Sequence, residues 1–178
     1  LRAQVEAEGV EILTGTRVEG VAGAVGDFEV SREEGSNGGT RPFVRRVGAL
    51  ALAVGADLHD PAGRYGYGEV EGVVTSQELA ADLARGGRPS PGAVLFIQCV
   101  GSRGDGGNPW CSSICCAATV RRALAFSRRG IQAVVLHRGI RPADRGLEEE
   151  YRRARRAGVL FVRYDRERPP RVVGEGKV

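Results

Sequence analysis

Three short apolar runs, AVLFIQ (93–98), QAVVLH (132–137) and VLFVRY (159–164), recur at spacings that leave room for one helix between neighbours. This rhythm constrains the chain more than any other feature. Apolar runs of this length bounded by turn signals read as strands buried on both faces. Between the first two, Ile114, Ala117, Val120 and Leu124 repeat at helical spacing, and Gly130 stands where that helix must stop. Between the second and third, LEEEYRRARRAG sets Leu147, Tyr151 and Ala154 on one stripe. Glu148 and Arg152, and Glu149 and Arg153, are spaced there for i,i+4 pairs. The alternation predicts an α/β fold in which residues 91–178 form a Rossmann-like βαβαβ unit with a parallel sheet.

The first half has a different grammar. Residues 1–8 read as the end of a helix, closed by Gly9 and followed by a short strand, VEIL (10–13). TRVEGVAGAVGDFEVSREE alternates apolar and polar residues around GAVGD, which predicts two strands of a β-meander. GSNGGTRP (35–42) reads as a loop, and VGALALAVGA (47–56) as a strand buried on both faces. Residues 57–74 are too rich in Gly and Pro for regular structure. Thr75 and Glu78 then form a capping box that opens a short helix, with Leu79 and Leu83 on one face. RGGRPSPG (85–92) marks a boundary. The expected division is residues 1–63, a meander-bearing domain; 64–90, a connector; and 91–178, the βαβαβ unit.

The net charge of +4 comes almost wholly from Arg, scattered and interleaved with acids, with few aromatics. Neither a basic stripe nor a motif supports nucleic-acid binding. No apolar run approaches the ~20 residues of a membrane-crossing helix, and none resembles a signal peptide. These features predict a cytoplasmic protein with no membrane insertion. Met is absent, position 1 included, which predicts a piece of a longer chain.

All four cysteines, Cys99, Cys111, Cys115 and Cys116, fall in one stretch with the spacing C-x11-C-x3-C-C. A disulfide between the last two would be strained. Zinc sites usually present two closely spaced Cys pairs, which this spacing does not supply in that form. A [4Fe–4S] cluster needs one thiolate per iron and tolerates irregular spacing, so it is the favoured reading. Zinc and a redox-active thiol pair remain open beside it. Cys99 would end a buried strand, and Cys115 and Cys116 would leave the first helical turn about 100° apart. The dipole and free N–H groups of that turn, and the glycines of CVGSRGDGG, favour an anionic centre. The same loop lacks G-x-G-x-x-G, and no acid ends the second strand, so NAD binding is not expected here.

FIQCVGSR, NPWCSSICC and RRGIQAVVLHRGIRPADRGLEEEYRRARRAGVLFVR together resemble the A-type subunit of heterodisulfide reductase and its relatives. ALAVGADLHDPAGRYGYGEVEGVVTSQELAADL and VEILTGTRVEGVAGAVGDFEV resemble the same family, so the likeness runs over nearly the whole chain. The resemblance implies a thioredoxin-reductase-like core with two dinucleotide-binding domains, FAD and [4Fe–4S] clusters. Residues 1–63 would then finish the FAD-binding domain. It implies electron transfer in complexes with B- and C-type subunits and a hydrogenase or formate dehydrogenase, and it is compatible with a homodimer. Cys99, Cys111, Cys115 and Cys116 match the family's cluster motif one for one. Val54, Gly55 and Ala56 match its ATG-like turn near FAD, with Val54 where Thr is usual. The FAD-gripping glycine motif and the ferredoxin-type C-x2-C-x2-C motifs are missing, so most FAD contacts would lie upstream of residue 1.

Other residues fit plainer roles. His59 reads as a turn residue and His137 as a strand-end residue, neither within a catalytic pattern. Ser112 and Ser113 read as N-caps. Trp110 is expected to shield the cysteine loop from water, and Arg103 to sit near the cluster or the flavin with an electrostatic influence on it.

Overall fold

The computed structural model describes residues 2–32, 43–87, 92–104, 107–141 and 145–174. The expected loop at 35–42 lies outside these residues, as does half of the boundary at 85–92. The chain separates into two units, Leu1–Ala56 and Asp57–Val178.

In the first unit, α1 (Arg2–Ala7) ends before Gly9, whose φ of +75° suits a glycine. An antiparallel meander follows, in the order β1 (Gly20–Ala24), β2 (Asp27–Arg32) and β3 (Phe43–Val47). The β1–β2 register pairs Ala24 with Asp27 across a two-residue turn in which Gly26 has φ +95°. Two strand expectations fail here. VEIL forms no strand, and VGALALAVGA leaves β3 at Val47 and runs on outside any strand. Leu52 is 79% exposed. A strand is stabilised by its ladder as well as by its side chains, and the run's pairing ends at its start, where Val47 faces Phe28 and Gly48 O accepts from Gly26 N–H at 2.9 Å. Strand pairing falls instead on FVRRV, where β2 offers a complete ladder from Phe28–Val47 to Arg32–Phe43.

The second unit follows the expected rhythm closely. α2 (Ser76–Ala84) opens with the capping box: Glu78 N–H donates to Thr75 Oγ1 at 3.2 Å, and Thr75 N–H to Glu78 Oε2 at 2.6 Å. Then come β4 (Ala93–Ile97), α3 (Cys115–Ser127), β5 (Gln132–His137), α4 (Leu147–Arg156) and β6 (Leu160–Arg163). The sheet is parallel in the order β4-β5-β6. Phe96, Ala133 and Val135 face α3, whose Ala117, Val120, Ala123 and Leu124 are buried against them. Leu147 and Ala154 of α4 are fully buried in the same core, and Leu79 and Leu83 of α2 pack against it. The Tyr151 ring meets Phe161 edge-on at 4.6 Å. The paired acids and bases of α4 form as spaced, Glu148–Arg152 at 3.4 Å and Glu149–Arg153 at 3.2 Å. Ile114 departs from its expected stripe: it precedes the first helical residue and is 60% exposed. The sheet's carboxyl edge, where β4 gives way to α3, is where the cysteines gather.

Candidate metal centre

The carboxyl end of β4 is held from three sides. Gln98 N–H extends the ladder to Leu136 O at 2.9 Å, its buried amide donates to Thr119 Oγ1 at 2.5 Å, and the Tyr164 hydroxyl donates to Gln98 O at 2.6 Å. From this anchored point the chain turns abruptly. Cys99 is buried with φ +66°, a conformation that costs a residue with a Cβ roughly 1–2 kcal/mol. Arg103 and Ser113, in the same loop, share the left-handed conformation. The turn is clamped by Arg138, which follows β5: its Nη2 donates to Cys99 O at 3.2 Å and to Ser102 O at 2.5 Å. Arg103 reaches back, its Nη1 donating to Arg138 O at 2.9 Å and lying 3.8 Å from Cys99 Sγ.

The loop then crosses over itself. Asn108 N–H donates to Gly101 O at 3.0 Å, Arg103 N–H to Trp110 O at 3.1 Å, and Gly104 N–H to Asn108 O at 3.4 Å. Two glycines make the crossing possible. A Cβ on Gly107 would stand 2.3 Å from Gly101 O, and one on Gly101 would stand 2.1 Å from the His59 ring. The crossing returns Trp110 and Cys111 to the strand end that carries Cys99. Trp110 does not shield the loop: its carbonyl, not its ring, is bonded into the crossing, and its side chain is exposed.

The serines do not cap α3 with their side chains. The N-cap is Ile114, without a side-chain hydrogen bond, and the Ser112 hydroxyl donates to the Cys115 sulfur instead. The Cys115 thiol is pushed down to about 6, chiefly by the hydrogen bond from the Cys116 thiol. The Ser112 hydroxyl and the N–H groups of Cys116 and Cys115 add to this, against the opposing effect of burial. Cys116 is pushed up in return, first by its bond to Cys115 and then by burial, while Arg141 N–H donates to its sulfur. Cys111 Sγ accepts from Ser113 N–H at 3.4 Å. Cys99 Sγ and Cys111 Sγ each have a donor at hydrogen-bond distance, Arg103 Nη1 and Ser113 N–H, and all four thiols are free.

Cys115 and Cys116 share the first turn of α3, and the charge of Cys99 acts on Cys116. Among the described residues, no three His, Cys, Asp or Glu side chains are grouped so as to hold a metal ion. Val54, Gly55 and Ala56 lie in the first unit, in an exposed stretch where Gly55 has φ +76° and open space beside it. His137 ends β5, with its Nδ1 accepting from Gly139 N–H at 2.9 Å. Burial and then the Arg163 charge lower its pKa. Two residues at the site escaped sequence reasoning. Arg138 carried one usable signal, its position at the carboxyl end of a parallel strand, whereas nothing in the sequence tied His59 to Gly101.

No protein-family model matches the chain. Curated relatives do. The chain is 36% identical over 134 residues to the second A-type iron-sulfur component of the CoB–CoM heterodisulfide reductase of Methanopyrus kandleri. It is 33% identical over 135 residues to the A-type component of the H2/formate:CoB–CoM heterodisulfide,ferredoxin reductase of Methanococcus maripaludis. It is 36% identical over 133 residues to the A-type component of the ferredoxin:CoB–CoM heterodisulfide reductase of Methanosarcina mazei. Each match takes in 66% of this chain and 17–20% of the relative, so the chain spans about a fifth of the length of the proteins it matches.

Proposed function

Over 66% of its length the chain is a homologue of the A-type component of heterodisulfide reductase, and from that premise we propose that it is the electron-relay segment of such an oxidoreductase. In this reading Cys99, Cys111, Cys115 and Cys116 hold a [4Fe–4S] cluster. The observation that carries it is that all four cysteines fall between the end of β4 and the first turn of α3, with Arg103 Nη1 3.8 Å from Cys99 Sγ and Ser113 N–H donating to Cys111 Sγ at 3.4 Å. The donor set is also chemically uniform: four soft sulfurs, the ligands typical of [4Fe–4S] centres. A single zinc ion would need the ligands to converge on one point, whereas a cube takes one thiolate at each of four separate corners.

When bound, such a cluster supplies a one-electron couple. The chain's own residues position and insulate it: β4 and the Arg138 clamp fix Cys99, the glycine crossing returns Cys111, and the start of α3 presents Cys115 and Cys116. We place the segment within a flavoprotein with two dinucleotide-binding domains. Val54, Gly55 and Ala56 would help hold FAD there, and the flavin would supply the redox couple that exchanges electrons with the cluster. The partners in this reading are B- and C-type subunits and a hydrogenase or formate dehydrogenase, with a homodimeric, cytoplasmic assembly. The names of relatives, which mention H2, formate and ferredoxin, support that setting. The test is anaerobic isolation followed by metal and sulfide analysis and EPR. Iron, acid-labile sulfide and a reduced-state signal that depends on Cys111 are expected. Stoichiometric zinc without sulfide would overturn the reading.

A further inference from the structure

The cysteine loop is framed by guanidinium groups. Arg103 Nη1 stands 3.8 Å from Cys99 Sγ and is tethered to Arg138 O at 2.9 Å, so its charge is kept at the sulfur rather than released to solvent. Arg138 is bound to the backbone on either side of the turn, at Cys99 O and Ser102 O, and its Nε is buried without a partner. Arg166 lies over Gly104, where an added Cβ would come within 3.3 Å of its Nη1. Among the described residues, none of the three has a carboxylate within ion-pair distance, while the arginines of α4 and of the meander do. Arg103 and Arg138 are partly buried, whereas Arg166 is exposed, and partly buried cations are ordinarily compensated. Among the described residues, the Cys99 sulfur is the group that Arg103 reaches besides the Arg138 carbonyl.

We propose that Arg103 sets the reduction potential of the centre that Cys99 serves, raising it, and that Arg138 is the positioning residue that keeps Arg103 at the sulfur. The inference rests on the cluster reading of the four cysteines. An added electron makes a thiolate-ligated cluster more negative. A cation and N–H donor at one of its sulfurs therefore stabilises the reduced state more than the oxidised state. The left-handed backbone at Cys99 and Arg103 fits this role. Both residues are held in a costly conformation that brings their side chains together.

The test is an EPR-monitored redox titration of the full-length holoprotein, following the signal that Cys111→Ser removes. Arg103→Gln should shift that midpoint to more negative potential. Arg103→Lys, which keeps the charge, should restore most of the shift. Arg152→Gln, an equal charge change on the exposed face of α4, should leave the midpoint in place. An Arg103→Gln protein that keeps the signal at the wild-type midpoint would overturn the proposal. Should Arg103→Gln lose the signal, its retention in Arg103→Lys supports a required cation, and its loss in both assigns Arg103 a purely structural role and overturns the proposal. A wild-type protein with no Cys111-dependent signal refutes the underlying cluster reading instead, a distinct outcome.

Discussion

Gly107→Ala isolates the loop crossing that returns Cys111 to the end of β4. The φ of Gly107 lies outside the left-handed region, so alanine has no backbone objection to the site and the cost is the collision itself. The added Cβ would stand 2.3 Å from Gly101 O, 2.9 Å from Gly101 C and 3.1 Å from Gly101 Cα. All three are backbone atoms, which no rotamer change can move. Ordinary contact lies near 3.5 Å, so the two segments must part by about 1 Å. Separation on that scale breaks the Asn108–Gly101 bond and strains those of Gly104 to Asn108 and Arg103 to Trp110. At 0.5–1.5 kcal/mol each, losing two of these bonds costs the closed loop about 1–3 kcal/mol. That is a roughly 5- to 150-fold drop in its population relative to open forms. The assay is the rate at which a chelator strips iron from the anaerobic protein. Gly130→Ala serves as control: it carries left-handed strain at φ +76° but has nothing within 4 Å and lies at the far end of α3. Iron loss should accelerate in Gly107→Ala and not in Gly130→Ala. A Gly107→Ala protein that keeps its iron as long as the wild type would refute the claim that the crossing positions Cys111.

Thr119→Val leaves the buried Gln98 amide without its acceptor and should destabilise the second unit by about 1–3 kcal/mol. It would be read as a lowered urea midpoint at unchanged slope, with Thr119→Ser near wild type. In metal-free reduced protein, Cys115 should react with iodoacetamide ahead of Cys116. Its rate should rise through a midpoint near pH 6, since a lowered pKa makes it thiolate at neutral pH; a midpoint above 8 would contradict the hydrogen-bond set described. His137 should titrate by NMR below 6.5, because burial and Arg163 disfavour its charged form. Between the folded and unfolded values the unfolded chain binds more protons, so stability should rise with pH across that window and level off above about 6.5. A folded midpoint at or above that value would refute the account of its surroundings.

The βαβαβ unit was legible in the sequence because periodicity and packing agree there. Ala117, Val120 and Leu124 could share a face only in a helix, and the same face is the one buried under Phe96 and Val135. Where they separate, composition misleads. VGALALAVGA is as apolar as a buried strand, yet a strand also needs a ladder, and β2 pairs with FVRRV, whose adjacent arginines hide it. The start of α3 was read one step early. Ser112 and Ser113 have capping chemistry, but Ser113 takes φ +62° and the Ser112 hydroxyl goes to a thiol. Within the candidate centre, the four cysteines announced themselves by clustering. Arg138 did not, because its role depends on a contact made 39 residues away in sequence, at Cys99 O.

The central claim is that four sulfurs from the turn after β4, the crossing loop and α3 each ligate one iron of a single cube. Anomalous diffraction at the iron edge, from crystals grown without oxygen, tests it most directly. The account predicts a compact group of four iron peaks, each bonded to one of Cys99, Cys111, Cys115 and Cys116. One isolated peak at the zinc edge, or a Cys115–Cys116 disulfide with no metal density, would contradict it.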